Sequence, residues 1–364
     1  MCVTSSEHRL SNEFIVRDLY VEITNKCNLY CKYCCRNSSY NENREMPTEI
    51  FDKLLLDAKK LGCRNITLTG GEAILHHDFE RMFEQCIDLG YDVYLLSNGI
   101  ELKKLPRHFL HKIKKIQISI DGGSAQDNDR TRGAGTFFDI VKAIEYLLEE
   151  RMPPDTISLK MTITHENIGG ITSLILFAAE YGIKNIGFSF LYNAGRAATL
   201  EEELFVTEED KNNIIHMLEE ARIKYPDMDI QSPGYTDKCP LLKEDGEISL
   251  MPRISCTGKV YACQMFSDEF WIGDLFFDNL ADIIKGARFE SLRTLALNRE
   301  NFMDQCQTCA LKRKCGKGCV AISLFDGVTA TDGDCCLREM HNKRVRHMAV
   351  KWIRERQEMS TYEK

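Results

Sequence analysis

The chain has no apolar run of the roughly 18 residues that a membrane span requires. Its opening residues, Met1–His8, hold no apolar core, so neither a signal peptide nor a membrane segment is expected. It also lacks a dominant basic run. The densest stretches, His111–Lys115 and Lys343–Arg346, read as solvated faces, and the net charge is −8, so a nucleic-acid backbone is not expected as partner. No internal repeat and no low-complexity segment breaks the 364 residues, which suffice for one large domain and a smaller one.

Cysteine, by contrast, is abundant. Sixteen cysteines without an export signal point to a reducing, cytoplasmic setting in which thiols serve metals rather than disulfides.

Strands and helices alternate across the first two hundred residues. The pattern predicts strands at Asp18–Thr24, Asn65–Thr69, Asp92–Ser97, Lys115–Ile120, Ser158–Thr164 and Asn185–Leu191. Helices are expected over Pro47–Leu61, Asp78–Leu89, Glu101–His111, Phe138–Glu150 and Gly170–Tyr181, with a glycine-rich loop at Asp121–Gly135. Such βα units give a parallel sheet wrapped by helices, an α/β partial (β/α)6 TIM-like barrel with its chemistry at the carboxyl ends of the strands. A bridging helix, Thr207–Tyr225, is expected to lead out of it, with Ile214, Leu218, Ala221 and Ile223 on its apolar side. The expected division is 1–206 for the barrel, 207–232 for the bridge, 233–340 for a cysteine-rich domain and 341–364 for a final helix.

Directly after the first strand comes Cys27-Asn-Leu-Tyr-Cys31-Lys-Tyr-Cys34. Three thiolates can hold three irons of a cubane cluster and leave the fourth iron open, whereas structural clusters fill all four corners. A zinc site would want four N or S ligands, and no His-x3–5-His or second Cys-x2-Cys lies nearby to complete it. After the second strand stands Gly70-Gly71-Glu72, where paired glycines allow close backbone approach and a carboxylate can accept from an ammonium.

These two motifs, one βα unit apart, resemble the signature of the radical S-adenosylmethionine (radical SAM) enzymes, including the aromatic Tyr33 before the third cysteine. The resemblance implies that Cys27, Cys31 and Cys34 hold a [4Fe–4S] cluster whose open iron chelates S-adenosylmethionine. It further implies that Gly70, Gly71 and Glu72 hold the methionine amino group. Asn98 at the third strand end joins the cofactor candidates, and Ser119 and Asp121 become candidates for the ribose hydroxyls. Thr162 and Leu191 are candidate cofactor contacts, each equally readable as barrel core. Arg196 could pair with the cofactor carboxylate or face water. The chemistry implied is reductive cleavage of the cofactor to a 5′-deoxyadenosyl radical, fed by a flavodoxin- or ferredoxin-type donor.

A second cysteine field comprises Cys239, Cys256, Cys263, Cys306, Cys309, Cys315, Cys319 and Cys335. With Gly258-x4-Cys263 it resembles the SPASM extension, which binds two auxiliary [4Fe–4S] clusters, making three in all. That pattern puts Cys306, Cys309, Cys315 and Cys335 on the outer cluster and Cys239, Cys263 and Cys319 on the inner one. Cys256 is either the inner cluster's fourth ligand or a replacement for Cys239, and spacing leaves both open. Cys63 and Cys86 read as core residues in helical stretches, and His76-His77 as a helix start rather than a metal site.

Members of the extended family act on ribosomal peptides, sulfatases, tetrapyrroles or sugar-like molecules. The sulfatase branch carries Asp after the Gly-x4-Cys cysteine, and here that position is Gln264, which cannot serve as a base near neutral pH. Only 17 residues precede the first strand, which leaves no room for an N-terminal peptide-recognition domain. The expectation is hydrogen abstraction from a precursor peptide, presented by a separate recognition protein or read directly, giving a crosslink, thioether or epimer. The alternatives are a small-molecule or sulfatase-maturing enzyme and, last, a non-catalytic electron carrier.

Overall fold

The computed structural model describes residues 14–200, 204–233, 239, 241, 248–298 and 319–323. Its strands are β1 (Phe14–Val16), β2 (Asp18–Thr24), β3 (Asn65–Gly70), β4 (Asp92–Ser97), β5 (Ile113–Ser119), β6 (Ile157–Ile163), β7 (Asn185–Phe190), β8 (Asp229–Gln231), β9 (Ile248–Leu250), β10 (Arg253–Ile254), β11 (Lys259–Tyr261) and β12 (Trp271–Asp274). From β2 to β8 the strands pair in chain order and in parallel.

Period-two patterning decides which face of each strand is dry. On β6, Ile157, Leu159, Met161 and Ile163 have no solvent exposure, whereas Ser158, Lys160 and Thr162 between them are part-exposed. The apolar set packs under the helices, and the polar set is left to line the open barrel. Helix α1 (Thr48–Lys60) supplies the matching surface over the first strands with Phe51, Leu54, Leu55 and Ala58. Helices α2 (Phe79–Asp88), α5 (Thr136–Glu149) and α6 (Gly170–Glu180) continue that layer.

Several expectations need correction. The helix expected over Glu101–His111 is a 3-10 turn, Leu102–Lys104, and one short helix, α3 (Arg107–Leu110). Pro106 separates them, since it lacks an N–H and disfavours helical geometry in the residue before it. The expected loop Asp121–Gly135 contains a helix, α4 (Ala125–Arg132), capped by the Ser124 hydroxyl accepting from the Asp127 N–H. Its sequence, AQDNDRTR, has no apolar period to betray it. Helix α7 (Glu208–Lys224) buries Ile214 and Leu218 as expected, but Ile223 is 83% exposed. That helix does not lead away from the barrel: it delivers β8, which pairs with β7 through Asn185↔Asp229.

The expected boundary near residue 233 is likewise crossed by the sheet. Strand β10 pairs in parallel with β2 (Arg253↔Tyr20, Ile254↔Val21), and β11 and β12 follow it antiparallel. Gly258, at φ +76°, forms the tight turn between β10 and β11 that L side chains rarely adopt. Apart from this sheet, β1 pairs with β9. The final helix expected at 341–364 lies outside the described residues. No helix among the described residues is long and apolar enough to cross a membrane.

Candidate cofactor and iron–sulfur site

A cavity of about 220 Å³ opens at the carboxyl ends of the barrel strands. Cys27, Cys31, Tyr33, Cys34, Gly70, Gly71, Asn98, Ser119, Thr162 and Leu191, all expected from the sequence, line it. Glu72, Asp121 and Arg196 do not, and each has a different reason.

The cysteine loop is held from several sides. Cys27 N–H donates to Ser39 O (3.0 Å), Lys32 N–H to Thr131 O (3.0 Å), and Arg196 N–H to Cys34 O (2.9 Å). Arg196 also donates from Nε to Cys31 O and from Nη1 to Ser38 O, both at 2.9 Å, and stacks 3.9 Å from the Tyr30 ring. Of the two roles left open for it, a partner for the cofactor carboxylate or a solvent-facing side chain, the structure shows neither: Nε and Nη1 of its guanidinium brace the loop backbone.

Gly70 and Gly71 are required by close packing against that loop. A Cβ on Gly70, whose φ is +151°, would lie 2.2 Å from Thr24 O, and one on Gly71 would lie 2.3 Å from Lys26 O. The turn is closed by Gly71 N–H to Thr24 O (2.7 Å) and Glu72 N–H to Lys26 O (2.8 Å). Gly71→Ala should therefore push the cysteine loop off its seat. Iron content after anaerobic reconstitution and cofactor affinity should both fall sharply; a variant retaining both would refute this account of the glycine.

Glu72 is fully buried behind the cavity wall. Its Oε2 accepts from Ser97 Oγ (3.1 Å) and the Asn98 N–H (2.8 Å), and the Ile74 N–H faces the carboxylate. Oε1 nevertheless has no hydrogen bond. Burial pushes this carboxyl up to about 7. An arriving ammonium would supply the missing donor and favour the ionised form, so the residue fits the amino group the motif implies.

The three thiols fit a shared metal cluster in that all of them line the one cavity. Burial holds Cys27 up at about 12 and Cys31 at about 11. Neither is a ready thiolate by itself, and coordination to iron is what stabilises the anionic form. Asn98 Nδ2 lies 3.8 Å from Cys27 Sγ and donates to Asn28 Oδ1 at 2.7 Å. Ser119 and Thr162 remain part-exposed at the cavity wall, while Leu191 packs with Tyr33, Ala197 and Phe205 behind it.

Asp121 departs from its expected role. It has no exposure, and its oxygens are taken by the Tyr33 hydroxyl, Thr131 Oγ1 (2.7 Å), the Thr162 N–H (3.2 Å) and Arg132, whose Nε and Nη2 lie 3.0 and 3.2 Å away. A saturated carboxylate has nothing left for a ribose. It latches the cysteine loop, through Tyr33, to the ends of β5 and β6 and to α4. Sequence reasoning missed Arg132, because an arginine in Thr131-Arg132-Gly133 carries no local signal.

Downstream, Cys239 and Cys319 both act electrostatically on Cys263, which burial pushes up to about 12. Cys256 has other charged neighbours, namely Glu22, Arg44 and Glu42. Cys239 and Cys319 thus share the electrostatic surroundings of Cys263, as the resemblance implies for inner-cluster ligands. Cys306, Cys309, Cys315 and Cys335 lie outside the described residues. Cys63 and Cys86 are buried core thiols, although Cys63 falls just past α1 rather than within it.

Among the described residues, Glu45, His76 and His77 also stand at metal-ligand spacing. The imidazole nitrogens are already engaged. His76 spans Met46 O (3.1 Å) and the Asp78 N–H (3.0 Å), and His77 bridges Glu45 and Asp78.

Residues 21–178 match the radical SAM superfamily model, and residues 251–310 match the SPASM iron–sulfur cluster-binding domain model. The PqqA peptide cyclase of Methylobacterium nodulans is 26% identical over 340 residues, covering 89% of this chain and 87% of the relative. The mycofactocin maturase MftC of Mycobacterium ulcerans is 25% identical over 316 residues, covering 84% of each. Two solved structures share the fold. SuiB of Streptococcus suis bound to S-adenosylmethionine has a TM-score of 0.67 at 15% identity, with 89% of this chain and 77% of that chain covered. Native anSMEcpe with bound AdoMet has a TM-score of 0.64 at 16% identity, with 93% of this chain and 96% of that chain covered. With the cysteine loop and the glycine-pair turn at the ends of its first two barrel strands, the chain is a radical SAM enzyme that carries a SPASM iron–sulfur cluster-binding domain.

Proposed function

We propose that the enzyme abstracts hydrogen from a residue of a ribosomally made precursor peptide, leaving a crosslink, a thioether or an epimerised centre. The observation that carries this reading is the match, over most of both chains, to relatives named for peptide cyclisation and for mycofactocin maturation. Gln264 adds to it by departing from the base of sulfatase maturation: its side chain meets Tyr20, and its carbonyl accepts from Arg36 Nη2 at 2.8 Å.

When bound, a reduced [4Fe–4S] cluster and S-adenosylmethionine supply a 5′-deoxyadenosyl radical. In this reading Cys27, Cys31 and Cys34 hold the cluster, and Glu72 receives the cofactor ammonium beside the Gly70–Gly71 backbone. From the cavity wall Ser119 would meet the ribose hydroxyls and Thr162 would contact the cofactor. Leu191 shields the cavity from water, which a carbon radical requires. Cys239, Cys263 and Cys319 belong to an inner auxiliary cluster, and Cys306, Cys309, Cys315 and Cys335 to an outer one, for three clusters in all. The barrel region, 1–206, and the cysteine-rich region, 233–340, which shares its sheet through β10, serve as catalytic and auxiliary parts. The setting is cytoplasmic, with a flavodoxin- or ferredoxin-type electron donor and, where needed, a separate peptide-recognition protein.

Isotope transfer tests the substrate. Deuterium placed on the α- or β-carbon of the precursor peptide encoded beside the gene should appear in 5′-deoxyadenosine. Transfer from a tetrapyrrole or a sugar alcohol, with no peptide accepted, would overturn the peptide reading and leave the radical enzyme intact.

A further inference from the structure

A second cavity, about 240 Å³, lies at the seam between β2 and the β10–β11 hairpin. It shares Arg36, Ser38 and Gly70 with the cofactor cavity, so a group seated in it adjoins the site of radical formation.

Its wall is rich in donors. Glu22 stands inside but is fully engaged, accepting from Arg36 Nε and from Arg253 Nη1 at 3.0 Å. Arg253 is only 1% exposed and lies flat on the Tyr261 ring at 3.6 Å. Its Nη2 is shared by Phe266 O and Asp268, each at 3.0 Å, while its buried Nε has no partner. Ser38, 2% exposed and part of both cavity walls, keeps a buried hydroxyl without a partner. Arg44 also lines the space; among the described groups its guanidinium pairs with Glu42 at 3.1 Å, and its charge reaches the Cys256 thiol.

Two enclosed donors without acceptors, among three arginines, decide what fits. A cationic group would face that charge with both lining carboxylates, Glu22 and Asp268, already paired with Arg253. An apolar group would leave the Arg253 Nε–H and the Ser38 hydroxyl unsatisfied, which is costly in a buried setting. An anionic group is the one that can supply the missing acceptor and gain charge-assisted bonds from arginine. We propose that this seam cavity is a substrate subsite that takes a carboxylate of the peptide, either an Asp or Glu side chain or the chain's own terminus. The proposal rests on the peptide reading above. It also gives Cys256 a place in the substrate wall rather than among the cluster ligands.

The test uses Cys256 as reporter in the reconstituted holoenzyme with S-adenosylmethionine. Alkylation of Cys256 by iodoacetamide is followed by mass spectrometry with glutarate or with glutaramide, its neutral analogue. Glutarate at a few times its dissociation constant should slow the reaction about fivefold. Glutaramide should not, and Arg44→Gln should erase the difference. Protection by both, by neither, or a Cys256 that does not react at all overturns the proposal. With the precursor peptide, amide replacement of each acidic residue and of the C-terminus should separate the two carboxylate sources, one of them raising KM at least tenfold. A peptide modified equally well after every carboxylate is amidated would sink the subsite while sparing the peptide reading. Glutarate protection without any peptide donating deuterium would do the reverse.

Discussion

Replacing Cys27, Cys31 and Cys34 together with Ala should lower the reconstituted iron content from about twelve to about eight per chain. The same variant should make no 5′-deoxyadenosine from S-adenosylmethionine. The two readouts are linked by geometry: the three thiols face one cavity, and the nearest glycine-pair turn and the Glu72 carboxylate are built against the same loop. A triple variant that kept its full iron, or that still cleaved the cofactor, would remove the site from this cavity altogether.

The second large effect is expected in the Asp121 latch. Arg132→Met leaves a carboxylate with no exposure and no counter-charge, a change of the kind that costs about 3–5 kcal/mol. The thermal midpoint of the holoenzyme should fall, and because Tyr33 loses its 2.8 Å contact with Arg132 Nη2, the cysteine loop should loosen with it. Adding Asp121→Asn should recover much of the loss, since the buried charge is then gone, the amide oxygen can still accept from the Thr162 N–H, and the amide NH2 can donate to the Thr131 hydroxyl. Equal midpoints for wild type and Arg132→Met would show that the ion pair is not what holds the loop.

The parts of the site that the sequence reveals are those whose chemistry is local. Cys27 to Cys34 and Gly70 to Glu72 each form one short segment, and their spacing alone restricts what they can bind. Asp121 illustrates the opposite case. It follows a strand end, where a ribose contact is reasonable, but its true partners are Tyr33, far upstream, and Arg132 on a helix without any apolar period. Cys256 and Cys239 could not be ranked by spacing because the side to which a hairpin thiol turns depends on β2, the strand packed beside it. The same holds for the fold: amphipathic helices and alternating strands were legible, whereas a short helix made of polar residues and a hairpin that joins a distant strand were not.

The parallel pairing of β10 with β2 joins chain segments separated by more than half of the polypeptide. A fragment ending near residue 233 would thus carry seven barrel strands yet expose the free backbone of β2 along the edge that the cysteine loop extends from. Unsatisfied edges of this kind recruit other chains, so such a fragment should precipitate rather than behave as a smaller soluble enzyme. It also means that the β2 edge stays uncovered until synthesis has passed residue 254, because contacts this far apart in sequence form late and slowly. The cysteine-loop cavity, by contrast, is lined by residues 27–192 alone, so its iron site can be assembled while the hairpin that covers the neighbouring edge is still being made.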